Sequence, residues 1–246
     1  MKSMKILNEF VPTRKFLKLA EETKDLVDGW NVTDSAGGRP APSGTVVSCI
    51  LKTKYPEKWI VPIFILRYKG PVEVGGLALA SDIVGLDGLA VTMGDKPIYG
   101  QPIEMPETQS SEKARDFIRE TIKTKNLKLG CLLTVRRSVE DALARVREPW
   151  DFLLFMRLED STFPILEQVA AECKKMNKPI YAYFLVSTPR NVETMKFIGW
   201  PPAATMETVE EKAAKLVGLV DGIIATCAGD AEGDKEMLQK LQKFRS

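Results

Sequence analysis

The run Trp59-Ile60-Val61-Pro62-Ile63-Phe64-Ile65-Leu66 carries no charge and no polar side chain. A strand with one face in water alternates apolar and polar residues, whereas a uniformly apolar strand is covered on both faces, as in a parallel sheet wrapped by helices. A helical stretch at 72–84 and a second apolar strand at 88–93 follow directly, which makes one β-α-β unit. Outward from it the same alternation recurs along the chain. Strands are expected at 5–10, 29–33, 59–66, 88–93, 127–134, 150–156, 179–186 and 219–226. Helices are expected at 14–26, 43–53, 72–84, 111–124, 139–147, 163–174, 190–197 and 235–244, with an additional one near 207–217. Ser138 is placed to cap the helix that follows it. Eight such units in 246 residues match a closed barrel of about 250 residues. The sequence therefore predicts an α/β fold, a single (β/α)8 barrel in which residues 1–246 form one domain. The repeated unit reads as structural, without a matching repeat in sequence.

Composition bounds the function. With 44% hydrophobic and 28% charged residues and a net charge of +2, the chain has no basic footprint for nucleic acid. No apolar run approaches the roughly 20 residues that span a membrane, and the first residues do not resemble a secretory signal, so a cytoplasmic protein is expected. Cys49, Cys131, Cys173 and Cys227 form no CxxC pair and read as reduced thiols, with no metal site. Histidine is absent. Acid–base work must therefore fall to Asp, Glu, Lys, Tyr or Cys.

In a barrel of this kind, chemistry belongs to the loops that follow the strands. The fourth strand ends in Thr92-Met93-Gly94-Asp95-Lys96-Pro97, and the first in Asn8-Glu9-Phe10-Val11-Pro12, each presenting a carboxylate. Glu9 and Asp95 are the candidate catalytic pair. The 94–110 loop is long without structure of its own and reads as a lid or binding loop. Thr33 reads as an inward barrel residue or a ligand contact, and Gly37-Gly38-Arg39-Pro40 as a turn or a phosphate cradle. Arg67 and Lys69, like Arg136 and Arg137, read as solvated charges or anion ligands. Arg157, Glu159 and Asp160 read as an ion cluster, Tyr99 as a lid residue, and Met156 as core filler or a ligand contact.

Several of these segments, in order, resemble the methylenetetrahydrofolate reductase family. Asn8-Glu9-Phe10-Val11-Pro12 is similar to its opening strand, Val32-Thr33 with Ala36-Gly37-Gly38 to its second turn, Ser81-Asp82-Ile83-Val84-Gly85 to its third helix, and Gly94-Asp95-Lys96-Pro97 to its Gly-Asp-x-Pro signature. Leu127-Lys128-Leu129-Gly130 and Asp151-Phe152-Leu153-Leu154 resemble the next two strand openings. The resemblance implies a flavoprotein that binds FAD and passes a hydride from NAD(P)H to a methylene group on tetrahydrofolate or tetrahydromethanopterin. Glu9 would be the general acid, and Asp95 would contact both the pterin and the flavin. Thr33, Ala36, Gly37, Gly38 and Gly94 would lie along the flavin, and Met156 and Arg67 would touch the substrate. The chain departs from the family at Ile63, where many relatives carry a histidine, and at Met156, where they carry a glutamine. Those departures raise the alternative of a flavin-free pterin-binding subunit fed by an electron-donating partner. A homo-oligomer is also expected by that resemblance.

Overall fold

The computed structural model describes residues 3–135 and 138–245. Its strands are β1 (Lys5–Phe10), β2 (Gly29–Val32), β3 (Trp59–Ile65), β4 (Leu89–Thr92), β5 (Leu129–Leu133), β6 (Phe152–Phe155), β7 (Ile180–Ser187), β8 (Ala204–Thr205) and β9 (Gly222–Thr226). The helices between them are α1 (Phe16–Thr23), α2 (Gly44–Lys54), α3 (Pro71–Val84), α4 (Ser111–Asp116), α5 (Val139–Arg147), α6 (Phe163–Lys175), α7 (Val192–Ile198), α8 (Val209–Ala214) and α9 (Ala231–Leu241). The strands are hydrogen-bonded in the order β6-β5-β4-β3-β2-β1-β9-β7, and β6 also pairs with β7, which closes an eight-stranded ring. This is the expected (β/α)8 barrel. The two-residue β8, which the sequence reading missed, pairs with β7, Val186 opposite Ala204.

By density of contacts the chain forms two compact units, one of Met1–Glu9, Thr23–Gly29 and Leu132–Ser246, the other of Phe10–Glu22 and Trp30–Cys131. In the first, β1, β9, β7 and β6 run parallel, with Asn8 opposite Ala225, Phe184 opposite Ala225, and Phe155 opposite Ala182. In the second, Ile63 of β3 faces Ala90 of β4, which faces Gly130 of β5. Its core includes Trp30, fully buried, with Phe10 edge-on at 6.0 Å and Tyr55 tilted against it at 5.4 Å. β3 and β7 are buried along almost their whole length, as uniformly apolar strands should be.

One device sets the strand starts. Asp28-Gly29, Asp87-Gly88 and Asp221-Gly222 each stand at the entry of a strand. Each aspartate donates its own N–H to the carbonyl of a residue in a neighbouring strand and accepts that residue's N–H on its carboxylate. The partners are Ile6, Ile60 and Ile180, with N–H to carboxylate distances of 2.8, 2.8 and 2.9 Å. Asp28 and Asp87 also take a cation, Arg245 and Lys52 respectively. The same Asp-Gly pair thus recurs at three strand entries.

The other differences are local. The first helix stops at Thr23 and tightens to a 3₁₀ turn over Lys24–Leu26. The expected helix at 111–124 divides into α4 and a π-helical turn over Phe117–Ile122, closed by Lys123 at φ +57°. Ser138 caps α5 as expected, its hydroxyl accepting the Asp141 N–H while Asp141 accepts that of Ser138, a capping box. The four cysteines are free thiols, three of them buried. No helix among the described residues is long and apolar enough to cross a membrane.

Replacing Asp221 by alanine leaves the Ile180 N–H without its carboxylate partner. The expected cost is about 1–3 kcal/mol of unfolding free energy. A lower urea midpoint at unchanged slope is the signature to look for.

Candidate active site

Side chains alternate along a strand, so Asn8 and Glu9 leave β1 on opposite faces. Asn8 is buried on the α9 side, where its amide donates to the Ala225 carbonyl at 3.0 Å and meets the Asp234 carboxylate. Glu9 leaves on the opposite face and shares it with Thr226, at the end of β9, and with Tyr183 of β7. All of these residues lie within the first unit.

The electrostatics follow from this placement. Burial raises the Glu9 carboxyl above the ordinary carboxylate range, and a hydrogen bond from the Thr226 hydroxyl only partly opposes the rise. Thr226 Oγ1 also accepts the Ala228 N–H at 2.9 Å. Burial and the nearby Glu9 charge push the Tyr183 phenol well above its usual value, so it stays neutral. Trp200 stands edge-on to Tyr183 at 6.0 Å, and the Arg157 guanidinium lies 5.4 Å over the Trp200 ring. Arg157, just beyond β6, holds φ +62°, a left-handed conformation that few non-glycine residues adopt.

A second carboxyl stands behind the strand. Asp234, in the first turns of α9, is pushed from its ordinary 3.8 to about 7, chiefly by burial and further by Glu9 and Asp230. Its hydrogen bonds from the Cys227 N–H, at 2.6 Å, and from Asn8 only moderate the rise. Asp230, four residues earlier, goes the other way. Burial raises it, but Arg190, the Gly233 N–H and the Thr188 hydroxyl outweigh burial and hold it below its usual range. The loops after β7 and β9 are tied by these contacts, Arg190 to Asp230 at 2.8 Å and the Asn191 amide to the Cys227 carbonyl at 2.9 Å.

The second unit gathers the other sequence candidates. Asp95 is exposed; its carboxylate accepts the Gly37 N–H at 2.9 Å, and its carbonyl accepts the Tyr68 hydroxyl at 2.7 Å. A Cβ on Gly38, at φ +70°, would lie 1.9 Å from the Lys96 carbonyl oxygen, and one on Gly94 would lie 2.5 Å from Ile65. The small residues thus serve a close approach of the chain to itself. Thr33 donates its N–H to the Phe10 carbonyl at 2.9 Å, and Ala36 is exposed. Arg67 Nε donates to the Gly94 carbonyl at 3.1 Å. Lys69 is not a solvated charge: it is 6% exposed, paired with buried Asp34 at 3.2 Å and donating to the Ile65 carbonyl at 2.9 Å.

The remaining candidates fall elsewhere. Met156, half-buried, donates its N–H to the Leu133 carbonyl in the first unit. Asp160 pairs with Lys212 at 2.5 Å, and Arg157 donates to the Gly199 carbonyl at 3.2 Å. Tyr99 is largely exposed. Arg136 and Arg137 lie outside the described residues. Sequence reasoning passed over Tyr183, Asp234, Asn8 and the buried role of Lys69. The Tyr181-x-Tyr183 alternation was the one available signal for the first of these.

The chain matches no protein-family model and no curated protein. Solved structures do share its fold. The tryptophan synthase alpha subunit from Pyrococcus furiosus superposes with a TM-score of 0.63 at 11% identity, over 99% of this chain and 98% of that one. The 3-keto-L-gulonate-6-phosphate decarboxylase from Vibrio cholerae gives 0.56 at 10% identity, over 100% of both chains. A structure from Aquifex aeolicus gives 0.61 at 12% identity, over 99% and 95%. Such identities establish the barrel, and the two named barrels are enzymes of other kinds.

These findings correct the methylenetetrahydrofolate reductase assignment. The motifs that carried it have work to do in the barrel itself: Gly38 and Gly94 admit neighbouring chain, and Asp95 holds the Gly37 N–H. The flavin-dependent reductase activity and the flavin-free pterin-binding alternative go with the family. The FAD, NAD(P)H and pterin expectations had no other footing.

Asp234 gives a pH signature. Its folded pKa lies above its unfolded one, so the native state binds the extra proton, and stability is lost as pH rises from 3.8 through about 7. Glu9 acts with the same sign. Thermal midpoints recorded between about pH 5 and pH 8 should fall with rising pH in the wild type. The slope should be shallower in Asp234→Asn, and equal slopes would contradict the assignment.

Proposed function

We propose that the chain is an enzyme performing acid–base chemistry at carbon, acting on a small carbonyl compound with Glu9 as its proton donor. One observation carries this reading: the Glu9 carboxyl is desolvated at the C-terminal end of β1, held by Thr226 and faced by the neutral Tyr183. A barrel places its chemistry at that end of its strands. A carboxyl whose pKa is raised can hold a proton toward neutrality and give it up in a transition state. The absence of histidine makes a carboxyl the natural group for this task.

The carbon beside the carbonyl either loses a carboxylate, which leaves as carbon dioxide, or loses a proton to water, and in both cases the electron pair of the broken bond moves onto the carbonyl oxygen. Glu9 gives that oxygen its proton and becomes a carboxylate. The enol then collapses: its hydroxyl proton returns to Glu9, and the carbon takes a proton from water. Tyr183, kept neutral by burial, remains a hydrogen-bond donor on the same face. Trp200 offers a flat apolar wall beside it. One structure of the same fold is by name a decarboxylase of a keto sugar phosphate, and decarboxylation makes these same demands on an acid.

The test is proton NMR in deuterium oxide with a panel of keto acids and keto sugar phosphates. The wild type should catalyse C–H exchange or carboxylate loss in at least one member. Glu9→Gln should lower that rate by about 10²-fold or more while the thermal midpoint is retained. A wild type inert across the panel, or a fully active Glu9→Gln, would remove Glu9 from this role.

A further inference from the structure

The second unit contains a cleft of about 540 Å³ at the C-terminal ends of β3 and β4. Arg67, two residues beyond β3, and Met93, directly after β4, line it, and the 94–110 loop supplies Ile103, Glu104, Met105 and Gln109. Its volume is within the range of small-molecule sites, about 300–1,000 Å³. The loop is fastened rather than loosely draped, because the Ile103 N–H donates to the Arg67 carbonyl at 2.8 Å.

Arg67 gives the cleft its chemistry. Its Nε is committed to the Gly94 carbonyl at 3.1 Å, which fixes the plane of the guanidinium. Among the described residues Arg67 forms no ion pair with a carboxylate. A guanidinium oriented in this way and lacking an acidic partner retains its terminal N–H groups for a carboxylate or phosphate. Around it the walls are thioether and aliphatic, from Met93, Met105 and Ile103, and Ile103 and Met105 are more exposed than such side chains usually are. Methionine adapts to ligands of differing shape.

We infer that this cleft binds a small amphipathic anion, a carboxylate or phosphate seated on Arg67 with an apolar body against Met93, Ile103 and Met105. Glu104, on the rim, opposes high negative charge and favours a ligand with one anionic end over a polyanion. The site is independent of the Glu9 chemistry and stands or falls without it.

Calorimetric titration of the full chain with phenyl phosphate, inorganic phosphate and phenol tests the inference. Phenyl phosphate should bind saturably and at least about tenfold more tightly than either fragment, since it alone engages both parts of the cleft. Arg67→Gln should weaken phenyl phosphate by about tenfold or more. Glu104→Gln, at an exposed position whose loss does not threaten the fold, should tighten it. Absence of saturable phenyl phosphate binding, or an affinity unmoved by Glu104→Gln, would overturn the site. Binding that persists unchanged in a folded Arg67→Gln would do the same.

Discussion

The reciprocal bond between an aspartate before one strand and the first residues of its neighbour governs the rest of the first unit. Asp221 fixes Ile180, and Asp28 fixes Ile6, each through two hydrogen bonds that only one register can form. Side chains alternate every residue, so a slip of one position would exchange Asn8 with Glu9 and Tyr183 with Phe184. The buried amide would then face the site and the acid would face α9. Clamps at the strand starts thus decide, several residues further on, which group the strand ends present.

Three carboxyls near the ends of β1 and β9 show how far surroundings separate chemically similar groups. Asp230 meets a guanidinium, a hydroxyl and a backbone N–H, and behaves as a firm anion. Asp234 has two hydrogen bonds set against desolvation and two acidic neighbours, and it is pushed up to about 7. Glu9, half-buried, has one hydroxyl to oppose its desolvation. The directions follow from how well the donors that remain to each carboxylate offset the loss of water. Cys227 is swept along: burial and the adjacent Asp234 and Asp230 push its thiol far up and leave it unreactive.

Much of the fold was legible in the sequence because strand and helix periods are local. β1 and α5 begin and end where the pattern puts them, and the Ser138 cap is a three-residue signal. The site was legible in part. Glu9 stands out as an acid in an apolar strand, but Asp234 becomes notable only when α9 folds back on Cys227, a long-range event without a local mark. Lys69 reads as a loop charge until β2 and β3 bring Asp34 to it. The family resemblance failed for a related reason. Strand ends in barrels call for glycines where the chain turns tightly and for aspartates that hold backbone N–H groups, so short Gly-Asp and Gly-Gly matches can arise from the architecture alone.

The Asp-Gly pairs that clamp the strands also bear on the chemical lifetime of the chain. Asp-Gly is a dipeptide prone to cyclise, because the unhindered glycine nitrogen can attack the preceding carboxyl and leave an isoaspartyl linkage. At Asp221 the carboxylate accepts the Ile180 N–H, while Gly222 lies in register with both Lys5 and Tyr181. Ring closure competes there with the carboxylate's bond to Ile180 and with the strand pairing of Gly222. Folding therefore protects its own weakest peptide links, and ageing at these positions reports how often each strand end opens.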